Sequence, residues 1–249
     1  MSAPLSASHL VWTRRIAQLL VGLALYGLAL ALMLRAGIGV APWDVLAQGI
    51  TRQTGLPFGL VVNIVGAAVL LLWIPIRQRP GVGTIANVLL IGPSAQLGLA
   101  FIPQQTAPVF QVLVFTSGLV VLAIATGLYI GARFGPGPRD GLMTGVHKRT
   151  GWPIWIVRTG IELSVLVVGF LLGGQVGIGT LAFALLVGPM VNITLPLLRV
   201  PGGPAPVVEP ATASDSRDHS QALPDRLERE RANRKMVRSP GSATDWALR

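Results

Sequence analysis

The chain has 249 residues, of which 51% are hydrophobic and only 12% are charged, and its mean hydropathy is +0.63. Soluble domains carry about a quarter of charged residues, so this composition excludes an ordinary soluble fold. The net charge of +10 comes from basic residues that stand singly or in pairs between apolar runs, a pattern typical of membrane-protein loops, and we predict no nucleic-acid partner.

Six apolar segments are long enough to cross a lipid bilayer, which takes roughly 20 residues of helix. The pair Arg14-Arg15 precedes the first segment, but no clean cleavage site follows, so we interpret that segment as a membrane helix and not as a removable signal. The predicted spans are residues 16–34, 57–76, 82–102, 109–132, 153–172 and 177–198.

Two shorter segments follow the first and fourth spans, and each opens with glycine and proline. Gly39 and Pro42 precede Asp44, and Gly135 and Pro138 precede Asp140. Each continues for only about a dozen residues of helix formers, too few to span a bilayer. They predict a short broken or re-entrant helix, which the hydrocarbon region tolerates where protein or a water-filled cavity surrounds it.

Basic residues predict the orientation of the spans. With the N-terminus in the cytoplasm, nearly all lysines and arginines of the connections fall on the cytoplasmic side, and only Arg35 and Arg52 fall outside. We therefore predict a multi-pass protein of the bacterial cytoplasmic membrane with both termini inside, solvated by lipid. Residues 1–15 form the cytoplasmic N-terminus, 16–200 the transmembrane domain, and 201–249, rich in polar residues, a disordered cytoplasmic tail.

An internal repeat appears when the sequence is shifted by 96 residues. Residues 39–96 then align with 135–192 without a gap and share 19 identities in 58 positions. Because each half contains three spans, the second half must insert upside down. The predicted fold is an all-α transmembrane bundle of two inverted repeats, about 16–102 and 109–198, each of three spans and one short helix.

The two aspartates are the leading candidates for a binding site. Short, interrupted helices at matching positions of inverted repeats are the best sequence pointer to the substrate or ion site of a transporter. Asp44, Asp140 and the adjacent Arg139 are therefore substrate- or ion-binding candidates. An aspartate that follows proline at a helix start is also a good helix cap, and the sequence leaves both roles open.

Other polar groups within the spans are further candidates. Glu162 and Arg158 lie four residues apart, where they can form an ion pair that has no counterpart in the first half. Asn63 is a weaker candidate, since amides in membrane bundles often join helices. Glycine-proline pairs at Gly92, Pro93, Gly188 and Pro189 predict a break or kink in the last span of each half, although close helix packing through small residues is the commoner reason for such pairs. With no cysteine and three scattered histidines, we predict no metal and no cofactor.

The segment Leu-Arg-Ala-Gly-Ile-Gly-Val-Ala-Pro-Trp-Asp-Val-Leu, residues 34–46, resembles the signature of the YczE/YyaS/YitT family of bacterial integral membrane proteins, in particular its YczE branch. Gly49, the Thr54-Gly55 pair and the glycine-threonine element at 81–84 strengthen the resemblance, which covers about residues 14–199. It implies a multi-pass membrane protein and leaves the substrate open.

Three functions remain open from the sequence. The favoured one is a transporter-like permease or exporter of a small solute. The second is a scaffold or regulator of another membrane or biosynthetic protein, and homo-oligomers are also left open. An intramembrane enzyme ranks last, because no carboxylate pair and no Ser/His/Asp set stands at useful spacing.

Overall fold

The computed structural model describes residues 5–200, and the predicted tail 201–249 lies outside the described residues. This part of the chain forms eight α-helices without strands. Six are long and apolar enough to span a membrane, so the predicted helical bundle is confirmed. The helices are α1 (Leu5–Ala36), α2 (Pro42–Thr54), α3 (Phe58–Ile76), α4 (Val82–Phe101), α5 (Pro108–Gly131), α6 (Pro138–Thr150), α7 (Ile154–Leu171) and α8 (Ile178–Leu198).

Helix boundaries differ from the prediction mainly at the N-terminus. Helix α1 already begins at Leu5, so most of the predicted N-terminal segment 1–15 is helical. Arg15 attaches this part of α1 to the bundle: its guanidinium donates to the carbonyls of Ala132 (2.9 Å) and Arg133 (3.0 Å) at the end of α5. A cation is favoured at that end of a helix, where carbonyls lack intrahelical partners.

Helices α2 and α6 are the two short helices, each of 13 residues. At 1.5 Å per residue, each is only about 20 Å long, which is less than the bilayer core. Each begins with a proline, which lacks the N–H that a first turn leaves unpaired. Each also ends at a left-handed glycine, Gly55 (φ 73°) or Gly151 (φ 71°), so the sequence fixes both ends.

The bundle packs around α1 and α5, which lie against each other, with α4 on α1 and α8 on α5. Leu23 and Met33 of α1 and Leu122 of α5 are almost completely buried in this core. The outer faces of α3, α4, α7 and α8 instead expose many large hydrophobic side chains. Such an apolar surface is suited to contact with lipid.

The 96-residue repeat reappears in the helices. Helices α2 and α6 coincide under this shift, and α3, α4, α7 and α8 agree within one residue. Each short helix packs against a span of the other half, α2 against α7 and α6 against α3. The segments before the short helices also contact the other half in matching ways. The N–H of Gly83 donates to the carbonyl of Phe134 (2.9 Å), and the N–H of its repeat equivalent Gly179 donates to the carbonyl of Ile38 (2.8 Å).

The predicted breaks at Gly92, Pro93, Gly188 and Pro189 are wrong, because α4 and α8 continue through them. An interior proline removes only one helical hydrogen bond, which membrane helices tolerate. Gly92 permits close packing, the alternative that the sequence left open: a Cβ atom there would lie 2.1 Å from the carbonyl oxygen of Gly59 on α3. Gly188 has open space at the equivalent position, so the two halves differ in packing.

Candidate functional site

The N-termini of the two short helices meet inside the bundle. Arg139, the second residue of α6, places its Nη2 atom 3.4 Å from Oδ1 of Asp44, the third residue of α2. Its guanidinium also lies over the ring of Trp43, 5.2 Å from the ring centroid. An ion pair and a cation–π contact therefore join the two halves at this point.

Positive-φ glycines direct the chain into each short helix. Gly39 has φ 115° and Gly135 has φ 123°, conformations that favour glycine. Each glycine is held by the first turn of the other half's last span, where a Cβ on Gly39 would meet Thr180 and one on Gly135 would meet Thr84. The hydroxyl of Thr84 also donates to the carbonyl of Pro136 (2.7 Å). The predicted helix starts thus have a defined structural basis.

Asp44 is only 2% exposed, and its Oδ2 atom has no hydrogen-bond partner among the described residues. The indole N–H of Trp43 likewise lacks a partner there. The cap of α2 is Ala41, without a side-chain cap bond, so Asp44 does not fill the capping role that the sequence left open. A buried acceptor and a buried donor remain available at this helix start.

Asp140 has a different partner. Its Oδ2 accepts a hydrogen bond of 3.1 Å from the hydroxyl of Tyr129, whose ring meets that of Tyr26 edge to face with centroids 6.0 Å apart. These side chains border a small cavity of about 70 Å³, room for a water-sized ligand. Its lining consists of Tyr26, Val62, Gly66, Asn87, Val88, Ile91, Tyr129, Gly137, Pro138, Arg139 and Asp140.

Both aspartates lie outside the six membrane-spanning segments, and burial raises the pKa of each above its ordinary value. The charge and hydrogen bond of Arg139 oppose this rise at Asp44, and the hydrogen bond from Tyr129 opposes it at Asp140. Burial therefore favours the neutral form of each carboxyl group, and its hydrogen-bond or charge partner favours the ionised form.

A second, larger cavity of about 490 Å³ opens where α1 and α4 end, beside the C-terminal half of α2. It is rich in arginine and glutamine, and no carboxylate lines it. The lining residues are Leu34, Arg35, Gln48, Thr51, Arg52, Phe58, Gln96, Leu99, Ala100, Gln104 and Gln175. The volume suits a small organic molecule.

Arg158 and Glu162 form the predicted ion pair, with Nε and Oε1 3.0 Å apart on α7, but neither lines a cavity described above. The charge of Arg158 still acts on Asp140. Asn63 lies between α3 and α4, where its Nδ2 is 3.5 Å from the carbonyl of Leu89 and its Oδ1 has no partner among the described residues. It joins two helices and lies outside both cavities.

The sequence pointed to Asp44, Arg139 and Asp140, and the structure brings these three together. It did not point to Tyr26 or Tyr129, because a tyrosine in an apolar span gives no pattern of its own. Among the described residues, no three His, Asp or Glu side chains form a group that could hold a metal ion.

Comparison with known proteins places this arrangement in a family. Residues 13–196 match the model of a family described as "Family of unknown function (DUF6198)". The chain belongs to this family. An uncharacterized protein of Haemophilus influenzae is 36% identical over 199 residues, which cover 78% of this chain and 91% of that protein.

Two relatives from Bacillus subtilis carry the names that the signature suggested. "Uncharacterized membrane protein YczE" is 31% identical, with 74% of this chain and 85% of that protein covered. "Uncharacterized protein YyaS" is 25% identical, with 72% and 91% covered. The predicted kinship is confirmed, and the chain is a multi-pass membrane protein of the DUF6198 family. No solved structure matches it.

Proposed function

We propose that this DUF6198 member is a permease of the bacterial cytoplasmic membrane that moves a small solute between two inverted halves. Both termini lie in the cytoplasm, as the distribution of basic residues predicts. Repeat-equivalent hydrogen bonds between the halves, from Gly83 to Phe134 and from Gly179 to Ile38, support a two-fold relation between them. With three spans per half, the axis of that relation lies in the membrane plane.

The ion pair between Asp44 and Arg139 is the main observation in support of this proposal. Two non-spanning helices direct their N-terminal ends at one buried point, beside the cavity that Asp140 lines. Helix N-termini carry partial positive charge, and broken helices near the bilayer midplane form the substrate and ion sites of many transporters. Buried ionisable groups at membrane depth are costly to retain, which favours a role in transport.

An asymmetry between the halves supports alternating access. The large cavity opens beside Arg35 at the end of α1. At the equivalent position in the second half, Gly131, the chain just after α8 packs closely: Val200 is buried, and its N–H donates to the carbonyl of Gly131 (3.3 Å). We infer that a transporter with this difference between its halves would be open at the Arg35 end and closed at the Gly131 end.

The proposal treats the chain as a transporter and not as an enzyme. Asp44 and Arg139 neutralise each other, and Asp140 pairs with a tyrosine hydroxyl. In a pathway, these groups bind a polar solute or a proton as it passes the midplane. They need not change the solute chemically.

Neutralising either aspartate tests the transport proposal. Cells that express the wild type, Asp44→Asn or Asp140→Asn are compared with cells lacking the protein by untargeted mass spectrometry of cell extract and medium. We expect the wild type to shift the distribution of at least one small polar solute, and each variant to abolish that shift. Arg79→Gln, an exposed charge change between α3 and α4, is the matched control.

The amount of each variant in the membrane fraction is measured in the same cells. If the aspartate variants insert like the wild type and leave its solute profile unchanged, the two aspartates do not form the transport site. If no solute responds to the wild type either, the scaffold or regulator hypothesis takes its place.

A further inference from the structure

We infer that the 490 Å³ cavity at the ends of α1 and α4 binds an oxyanion: a carboxylate, sulfate or phosphate group. This inference rests on the proposed function only for its role as the entrance of the pathway. Binding itself does not require transport, so the two can fail separately.

The side chains that line this cavity carry a positive charge. Arg35 and Arg52 are the two basic residues that interrupt the positive-inside distribution of the chain, and the structure brings both to the same cavity. No aspartate or glutamate lines that cavity to neutralise them. Two arginines without a carboxylate, on the side where basic residues are otherwise depleted, indicate a local need for positive charge.

Both guanidinium groups are anchored in a way that leaves donors available. Arg35 donates from Nη2 to the carbonyl of Leu99, and Arg52 donates from Nη1 to the carbonyl of Gly173. A guanidinium carries five N–H donors and no acceptor, so one carbonyl bond leaves most of them unused. Fixed, partly used guanidinium groups suit oxyanions because their geometry matches two acceptor oxygens.

Two buried donors of the lining side chains have no partner among the described residues. They are Nε of Arg35 and the hydroxyl of Thr51. An unpaired buried donor costs free energy, so native structures usually provide it with a partner. An anion in the cavity would supply that partner if either side chain turned the donor toward it.

Two of the four glutamines that line the cavity add donors, whereas Gln175 donates its own NH₂ group to the carbonyl of Gly37. The Oε1 atom of Gln96 accepts from the backbone N–H of Gly59 (3.1 Å), and that of Gln48 accepts from the N–H of Gln175 (2.5 Å). A backbone N–H can bond only to the amide oxygen, so these contacts fix which end of each amide remains. The NH₂ groups of these two side chains remain as donors beside the two arginines.

The cavity lies on a route toward the central ion pair. Asp44, Gln48, Thr51 and Arg52 recur at the spacing of one helix face along α2, so polar side chains continue from the cavity to the start of the helix. Gln48 stands one helical turn from Asp44, about 6 Å along the axis. An anion held at the cavity is therefore placed at the open end of this polar face.

The same chemistry has two sources, a soluble oxyanion or the phosphate of an anionic lipid. The purified full chain in a non-ionic detergent is titrated with sulfate, phosphate, succinate or short-chain phosphatidylglycerol, and the unfolding temperature is followed. Chloride at matched ionic strength is the reference. We expect at least one of the four probes to raise the unfolding temperature saturably, by about 2 °C or more.

Two variants test whether this cavity is the site. Arg52→Gln removes an exposed guanidinium, and Gln96→Glu keeps the acceptor for Gly59 N–H while replacing an NH₂ donor with a carboxylate oxygen. Each should weaken binding at least about tenfold, as expected for loss of a charged hydrogen bond. The matched controls Arg79→Gln and Gln78→Glu, in the connection between α3 and α4, should bind like the wild type.

Soluble probes that stabilise the protein while the lipid does not would assign the site to a solute, and the reverse would assign it to a lipid headgroup. Either result, together with weakened binding in the two variants, supports the oxyanion site. A response equal to that of chloride for all four probes overturns it, and so do unchanged affinities in Arg52→Gln and Gln96→Glu.

Discussion

Replacing Arg139 with glutamine is expected to lower the free energy of unfolding by about 3 kcal/mol, because the change leaves the buried carboxylate of Asp44 without its counter-charge. The unpaired carboxyl group can escape this cost by protonation. Its folded pKa is already raised by burial, so its stability contribution is present at low pH and is lost as the pH rises. The loss in the free energy of unfolding caused by Arg139→Gln should therefore be smaller at about pH 5 than at about pH 8.

Unfolding in detergent, followed by circular dichroism, measures this effect. Asp44→Asn should be milder, because the side chain of Arg139 is 24% exposed and keeps its contact with Trp43. The double variant Asp44→Asn/Arg139→Gln should be more stable than Arg139→Gln alone, since no buried charge remains. If Arg139→Gln and the double variant lost the same free energy of unfolding, the ion pair would not couple α2 to α6.

Gly39→Ala is expected to destabilise the protein by about 3 kcal/mol, since it combines backbone strain with a steric clash. The residue has φ 115°, which L-residues rarely adopt, and an added Cβ would lie 2.7 Å from Oγ1 of Thr180 and 2.8 Å from the backbone nitrogen of Gly177. The start of α2 would have to move away from α8, and Asp44 would move with it.

Gly55→Ala is the matched control, because Gly55 has φ 73° but no atom within 4 Å of an added Cβ. This variant shows the effect of backbone strain without a steric clash, and we expect it to lower the free energy of unfolding by about 1 kcal/mol. Unfolding temperatures of both variants are compared in the same detergent. If Gly39→Ala were no less stable than Gly55→Ala, the close contact between the loop before α2 and α8 would be refuted.

Much of the fold could be predicted because the bilayer imposes a simple rule on sequence. Apolar length predicted all six spans, and five of them to within one or two residues at each end. Glycine and proline predicted where α2 and α6 begin, since both residues restrict the backbone locally. The start of α1 at Leu5 was missed because hydropathy does not register a helix that continues beyond its apolar part.

The site could be predicted only in part, because spatial pairing depends on how the halves pack. The repeat pointed to Asp44 and Asp140 as equivalent residues, yet they have different partners, Arg139 and Tyr129. The reason is a broken symmetry: the repeat equivalent of Arg139 is Trp43, and the two stack on each other.

Labelling at the C-terminal ends of the two short helices tests whether α2 and α6 point in opposite directions across the membrane. The chain has no cysteine, so single substitutions at the repeat-equivalent, exposed residues Thr54 and Thr150 give no background. A membrane-impermeant maleimide is applied to intact spheroplasts and to inverted vesicles. We predict that Thr54→Cys reacts only in spheroplasts and Thr150→Cys only in inverted vesicles. Reaction of both from the same side would contradict the inverted arrangement of the two halves.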